Sequence, residues 1–279
     1  MKPFKDLTSL YGDPLLLNNY NTAFFDEELP EVGRQWIDND DMFYLSFRDL
    51  NKNEFKINSK NYRSDEFIEN HDGVHVLFSG CSHALGEGLA DKERWSEIVY
   101  DKIKTETKCS GYFNIAKMGN SIQACVINIF KYIEKFSKPD VIFFGVPEIN
   151  RSIIFSKNVQ LFKDIIYINK AKLPDNADLY FDSYNYYKIL ELFCKYNNIE
   201  LISFDADIQS PQTLSLKKDF VNFNTYHDLN SRVAMEYIHE YSEKNNGKFD
   251  IIARDRCHYG LAVNEFIGKE LYKIYKEKK

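Results

Sequence analysis

The stretch VHVLFSGCSHALGEGL, residues 74–89, begins as an apolar run and ends in glycines and small polar residues, with Ser82 close to the break. A short, continuous apolar run closed by glycine reads as a strand buried on both faces, and such strands belong to parallel sheets. In an open parallel sheet, ligands bind beyond the carboxyl ends of the strands. The run therefore delivers Ser82, in a glycine-flanked turn, to the place where a site is expected.

Downstream, the chain keeps the same rhythm. The β-rich runs VHVLFSG, YFNIAKM, VIFFGVP and IELISFD alternate with the helix-periodic segments ERWSEIVYDKIK, SIQACVINIFKYIEKF and SYNYYKILELFCKY. That alternation predicts βαβ units around a parallel sheet, an α/β domain over residues 73–279. NEFIGKELYKIYKEKK predicts a closing amphipathic helix with a basic tip. Residues 1–72, rich in Asn, Asp and aromatics as in NNYNTAFFDEELPEVGRQW, predict an ordered but irregular N-terminal extension packed on that domain, because a disordered tail would not carry so many rings. No internal repeat or low-complexity segment interrupts the pattern.

With 279 residues, 44% of them hydrophobic, the chain has ample material for a core. Its net charge is −6 and its basic residues form no stripe, so nucleic acid is not an expected partner. The N-terminal segment lacks a signal-peptide hydrophobic region, and no stretch approaches the roughly 20 apolar residues of a membrane span. These features predict a soluble, cytoplasmic protein with no membrane partner. The five cysteines, Cys81, Cys109, Cys125, Cys194 and Cys257, are odd in number and unpaired in spacing, which suits a reducing compartment. The Asn-, Lys-, Ile- and Tyr-rich composition also suits a phage-encoded chain, in which case the protein would be virion-associated.

A serine hydroxyl is a weak nucleophile until a neighbouring base takes its proton, and that base is commonly a histidine oriented by a carboxylate. ARDRCHYG supplies Asp255 and His258 just before the last helix, a spacing that lets one short turn present both. The order Ser, Asp, His is one of those in which such triads occur. Other readings of the same residues are weaker. Glu87 stands where a phosphate-binding loop needs lysine, so nucleotide is not expected. Cys81 and His83 could meet Cys257 and His258 around zinc, but neighbouring residues in a tight turn rarely reach one ion. No metal or cofactor is therefore expected. His71, His75, His227 and His239 have no recognisable spacing and read as surface or satisfied core residues, and the aromatic-rich YFDSYNYYKILELF reads as a packed helix face.

Taken together, these segments resemble the SGNH, or GDSL-type, hydrolases. FSGCSHALGEGL is similar to the family's first block, which carries the nucleophile; FNIAKMGNSI to its second, whose glycine is here Gly119; and ARDRCHYG to its Asp-x-x-His block. INSKNYRSDEF and RWSEIVYDKI are similar to segments flanking the first block. The chain departs from the pattern at Cys81, where Asp is usual, and at Pro147 and Glu148, where FFGVPEINR has no counterpart of the family's oxyanion Asn. Neither a proline nor a carboxylate donates that hydrogen bond. The resemblance implies a three-layer α/β/α fold with a parallel, flavodoxin-like sheet. It implies a serine esterase in which Ser82 attacks, His258 is the base and Asp255 orients it, with the oxyanion held by N–H groups of Ser82 and Gly119 and by Asn120 or Asn150. The implied substrate is a small acyl ester, such as an O-acetyl group on a carbohydrate. The alternatives are acyl transfer to a sugar hydroxyl and a catalytically idle module that binds glycan or serves a structural role.

Overall fold

A computed structural model of the chain describes residues 58–60, 62–117, 120–148, 151–155, 160–164, 176–205, 225–227, 229 and 258–279. Its elements in chain order are β1 (Val74–Ser79), α1 (Ser82–Leu85), α2 (Trp95–Glu106), β2 (Cys109–Asn114), α3 (Ile122–Lys135), β3 (Val141–Val146), β4 (Arg151–Phe155), β5 (Gln160–Asp164), α4 (Asn176–Tyr196), β6 (Glu200–Asp205), β7 (Tyr226–His227) and α5 (Leu261–Glu277). A single 3₁₀ turn, Asp91–Glu93, precedes α2.

Five strands form one sheet in the order β2-β1-β3-β6-β7, with every pair parallel. Strands β4 and β5 form a separate antiparallel hairpin that the sequence pattern does not foreshadow. Counted without the hairpin, the sheet has the doubly wound order 2-1-3-4-5, in which the connection reverses direction between β1 and β3. Right-handed crossovers leaving that point in opposite directions place their helices on opposite faces.

The side chains follow this plan. Val76 and Phe78 of β1, Val141 and Phe143 of β3, and Ile202 and Phe204 of β6 pack beneath α2 and α5 with Trp95, Val99, Ile103, Ile267 and Leu271. The intervening Leu77, Ile142, Phe144 and Leu201 pack against α3 and α4 with Ile122, Ile129, Tyr187 and Leu190. The period-two alternation thus fills two cores, which is why these strands read as unbroken apolar runs. The result is a three-layer α/β/α sandwich. Helices α2 and α5 approach closely: a Cβ on Gly268 would meet Ile98 Cγ2 at 2.7 Å.

Part of the segment assigned to the N-terminal extension is described, and it is bound to the sandwich. Asn58 Oδ1 accepts from the N–H groups of Lys60 and Tyr62, its amide donates to the Asp65 carbonyl, and Tyr62 is fully buried in the α3-side core. Asp65 accepts from Tyr112 N–H, and its own N–H donates to the Tyr112 carbonyl, tying the segment to β2. Residues 1–57 lie outside the described residues.

Candidate active site

The Ser82 turn is shaped by backbone contacts that only glycine permits. Gly80 ends β1 at φ 151°, and a Cβ there would meet both the Ala84 Cβ and the Gly145 carbonyl oxygen at 2.6 Å. The chain then turns into α1, so Ser82 opens a single helical turn. The Ser82 carbonyl accepts from the N–H groups of Gly86 and Glu87, and Gly86, at φ 76°, ends the turn in the left-handed region. A side chain at Gly86 would collide with Arg94. Ser82 is 7% exposed, at the carboxyl end of β1 and beside the β1/β3 reversal.

A buried cationic frame holds the loop that follows. Arg63 Nη1 donates to the carbonyls of Leu85 and Gly86, and Nη2 donates to the Leu89 carbonyl and to Asp91 Oδ1. Arg94 Nη1 donates to the carbonyls of Leu85 and Arg63, and Nη2 reaches Asp91 and Glu97. Burial and the neighbouring Arg94 lower Arg63 to about 10, which leaves it cationic at neutral pH. Burial also pushes the Glu97 carboxyl up to about 7, against the pull of Arg94.

His258 arrives from the other end of the fold. Its Nε2 lies 2.8 Å from Ser82 Oγ, a hydrogen bond spanning 176 positions of sequence. The turn bearing it is secured by Asn264, which is 2% exposed. The Asn264 amide donates to the carbonyls of Tyr259 and Gly260 while its oxygen accepts from Trp95 N–H, an otherwise orphan donor at the start of α2. Since Arg94 immediately precedes Trp95 and grips the serine loop, the N-terminus of α2 ties both halves of the site together.

Two further side chains stand around the pair. Glu87, 2% exposed, has its Oε2 3.6 Å from His258 Nε2. The His83 ring meets the edge of the His258 ring at 4.7 Å between centroids and packs on Tyr259 at 4.7 Å. Sequence reasoning gives neither a place beside His258: His83 is weighed only for zinc and Glu87 only against a phosphate-binding loop, and the available signal is that both follow Ser82 within five positions.

Among the expected oxyanion donors, Asn120 is 5% exposed and donates its amide to the Gly80 carbonyl at 3.4 Å, which places it beside the nucleophile turn. Lys117 N–H donates to the same carbonyl, and the Lys117 ammonium lies 4.1 Å over the Tyr62 ring. Pro147 is buried just past β3, where it offers no N–H. Asp255, Gly119, Asn150 and Cys257 lie outside the described residues, so the expected third triad member and two of the expected donors have no place in this description. Among the described residues, no group of three or more His, Cys, Asp and Glu is arranged to hold a metal, and no helix is long and apolar enough to cross a membrane.

A serine hydroxyl hydrogen-bonded to an imidazole, at the carboxyl edge of a parallel sheet, can lose its proton as it attacks an electrophilic carbon.

Neither a family profile nor a curated protein sequence matches the chain. Three solved structures show what it is similar to. The psychrotrophic esterase EstA from Pseudoalteromonas sp. shares 13% identity at a TM-score of 0.46, over 72% of this chain and 96% of its own. The acetyl xylan esterase AlAXEase shares 17% at 0.45, over 71% and 98%. A GDSL-like lipase from Bacteroides thetaiotaomicron shares 14% at 0.35, over 73% and 87%.

Proposed function

We propose that the protein is a serine ester hydrolase. The observation that carries this reading is the 2.8 Å contact between Ser82 Oγ and His258 Nε2. In the proposed reaction, Ser82 Oγ attacks the ester carbonyl while His258 Nε2 takes its proton. The carbonyl electrons move onto the oxygen, which N–H groups of Ser82 and Gly119 and the amide of Asn120 or Asn150 would hold. As the tetrahedral intermediate collapses, the imidazolium returns its proton to the leaving alcohol, and water then hydrolyses the acyl-enzyme by the same steps. Asp255 is assigned to His258 Nδ1, where it would fix the tautomer. A nucleophile only 7% exposed suits a small acyl group. We take an O-acetyl ester on a carbohydrate as the substrate class.

The test is hydrolysis of p-nitrophenyl acetate by the wild type and Ser82→Ala, with labelling by a fluorophosphonate probe. Turnover and labelling in the wild type alone support the reading; absence of both in the wild type overturns it. Activity that appears only when a sugar acceptor is added would redirect it to acyl transfer. One observation favours a second reading, an idle glycan-binding or structural module: the buried Pro147 stands where an oxyanion donor would be. That reading predicts no labelling.

A further inference from the structure

Glu87 lies outside the chemistry described so far, yet among the described residues it is one of the most buried carboxylates, and it faces His258. It is 2% exposed, and its Oε2 stands 3.6 Å from the same His258 nitrogen that meets Ser82 Oγ. That shared nitrogen distinguishes it from the orienting carboxylate of a triad, which accepts from Nδ1 on the opposite edge of the ring. Glu87 therefore cannot set the tautomer, and it competes for no site assigned to Asp255. Its backbone is fixed by the turn that fixes the nucleophile, because Glu87 N–H donates to the Ser82 carbonyl and Gly86 closes the turn in the left-handed region. The Glu87 carboxyl and the Ser82 hydroxyl thus leave the same turn and both face His258 Nε2.

We infer that Glu87 is a positioning residue that stabilises the protonated form of His258, an inference that rests on the serine-hydrolase reading for its catalytic consequence. When Ser82 Oγ bonds to the carbonyl carbon, its proton passes to His258 Nε2 and the ring becomes an imidazolium. The Glu87 carboxyl, desolvated and 3.6 Å away, lies beside the new positive charge and as a carboxylate would offset it. When the intermediate collapses, the proton leaves Nε2 for the departing alcohol oxygen and the ring is neutral again. An opposite charge within about 4–6 Å raises a histidine's proton affinity by roughly one to three pKa units, so Glu87 makes His258 a stronger base. Among the described residues, the other titratable group set against the His258 ring is His83, from the α1 turn, with Tyr259 packed behind it. A charge on His83 would oppose the effect of Glu87, and Asp255, assigned to Nδ1 in the proposed function, would add to it.

The test is a titration of the His258 ring nitrogens by long-range proton–nitrogen NMR, in the full-length wild type and in Glu87→Gln, which keeps the side-chain volume and removes the charge. The expected result is an apparent His258 pKa lower by about one unit or more in Glu87→Gln. If the enzyme turns over p-nitrophenyl acetate, the acid limb of its kcat/KM profile moves down by the same amount, and kcat on the plateau falls about tenfold. Glu87→Asp, which shortens the arm while keeping the charge, is expected to fall between the two, and it serves as the variant should Glu87→Gln not fold. An unchanged His258 titration in a folded variant overturns the inference. Because the titration is read without substrate, an inactive protein with a shifted His258 would count against the hydrolase reading and leave the Glu87–His258 coupling standing.

Discussion

Arg63 and Arg94, two fully buried guanidinium groups, donate to the same acceptor, the carbonyl oxygen of Leu85, at 3.4 Å each. Two like charges tolerate this closeness because Asp91 Oδ1 lies 2.7 Å from one and 2.8 Å from the other. The arrangement clamps the loop running from the nucleophile to α2.

Removing Arg63 takes its guanidinium from the Gly86 and Leu89 carbonyls and leaves Asp91 with one of its two cations. Arg63→Met is expected to destabilise the fold by about 3 kcal/mol, the scale for breaking a buried ion pair, and to lower ester hydrolysis with it. Arg63→Lys is expected to rescue little, since an ammonium cannot reach the four acceptors that the fork spans. Urea denaturation measures the first claim, and a wild-type midpoint in Arg63→Met would refute the clamp.

At Gly80 the backbone itself is the constraint. Gly80→Ala would place a Cβ 2.6 Å from the Gly145 carbonyl in a left-handed conformation, and it is expected to cost about 2–3 kcal/mol. The thermal midpoint should fall, and whatever folds should label poorly with a fluorophosphonate, because Ser82 moves with the turn.

In the proposed reaction the oxyanion donor among the described side chains is Asn120, whose amide donates to the Gly80 carbonyl beside the Ser82 turn. Asn120→Ala is expected to lower kcat by roughly 100- to 1000-fold with KM little changed. Full activity in Asn120→Ala would pass the role to Asn150 or to backbone N–H groups alone.

Acid should weaken the protein through a pair of histidines far from the catalytic turn. The His75 and His71 rings stack at 3.5 Å, and His75 Nε2 lies 2.9 Å from Tyr132 Oη. Burial, and then the neighbouring His71, lowers His75 to about 3; His71 is lowered as well, chiefly by burial. His75 stays neutral in the folded protein while the unfolded chain takes up protons near pH 6.5. Stability is therefore complete above pH 6.5 and falls as pH drops toward 3, by up to about 1.4 kcal/mol per pH unit for His75, with a contribution of the same sign from His71. His75→Gln should flatten that slope in denaturation midpoints measured between pH 7 and 4; an unchanged slope would show that other groups set it.

Much of this design could be read from the residues because local chemistry wrote it. The apolar runs of β1, β3 and β6 announced a sheet covered on both faces, and the glycines around Ser82 announced a turn at a strand end. The 2.8 Å meeting of Ser82 with His258 followed from reading each as the end of its own element. What escaped was set by tertiary contact. Glu87 was legible only as the residue standing where a phosphate-binding loop needs lysine, because its neighbour His258 lies far along the chain. His71 and His75 carried no spacing signal because their stack is made by the fold around Phe113 and Tyr132. The β4–β5 hairpin interrupts a βαβ rhythm that gave no reason to expect it.

Asn264 carries a consequence for timing. A chain made from its N-terminus completes β1 and the Ser82 turn long before it reaches His258 and α5. The turn bearing His258 is secured when Asn264 docks on Trp95 N–H, and closing a contact across 169 positions is among the slower events in forming such a sheet protein. Until His258 arrives, Ser82 lacks the imidazole that the proposed function requires, so on that reading the nascent chain would carry no activated serine while it is being made.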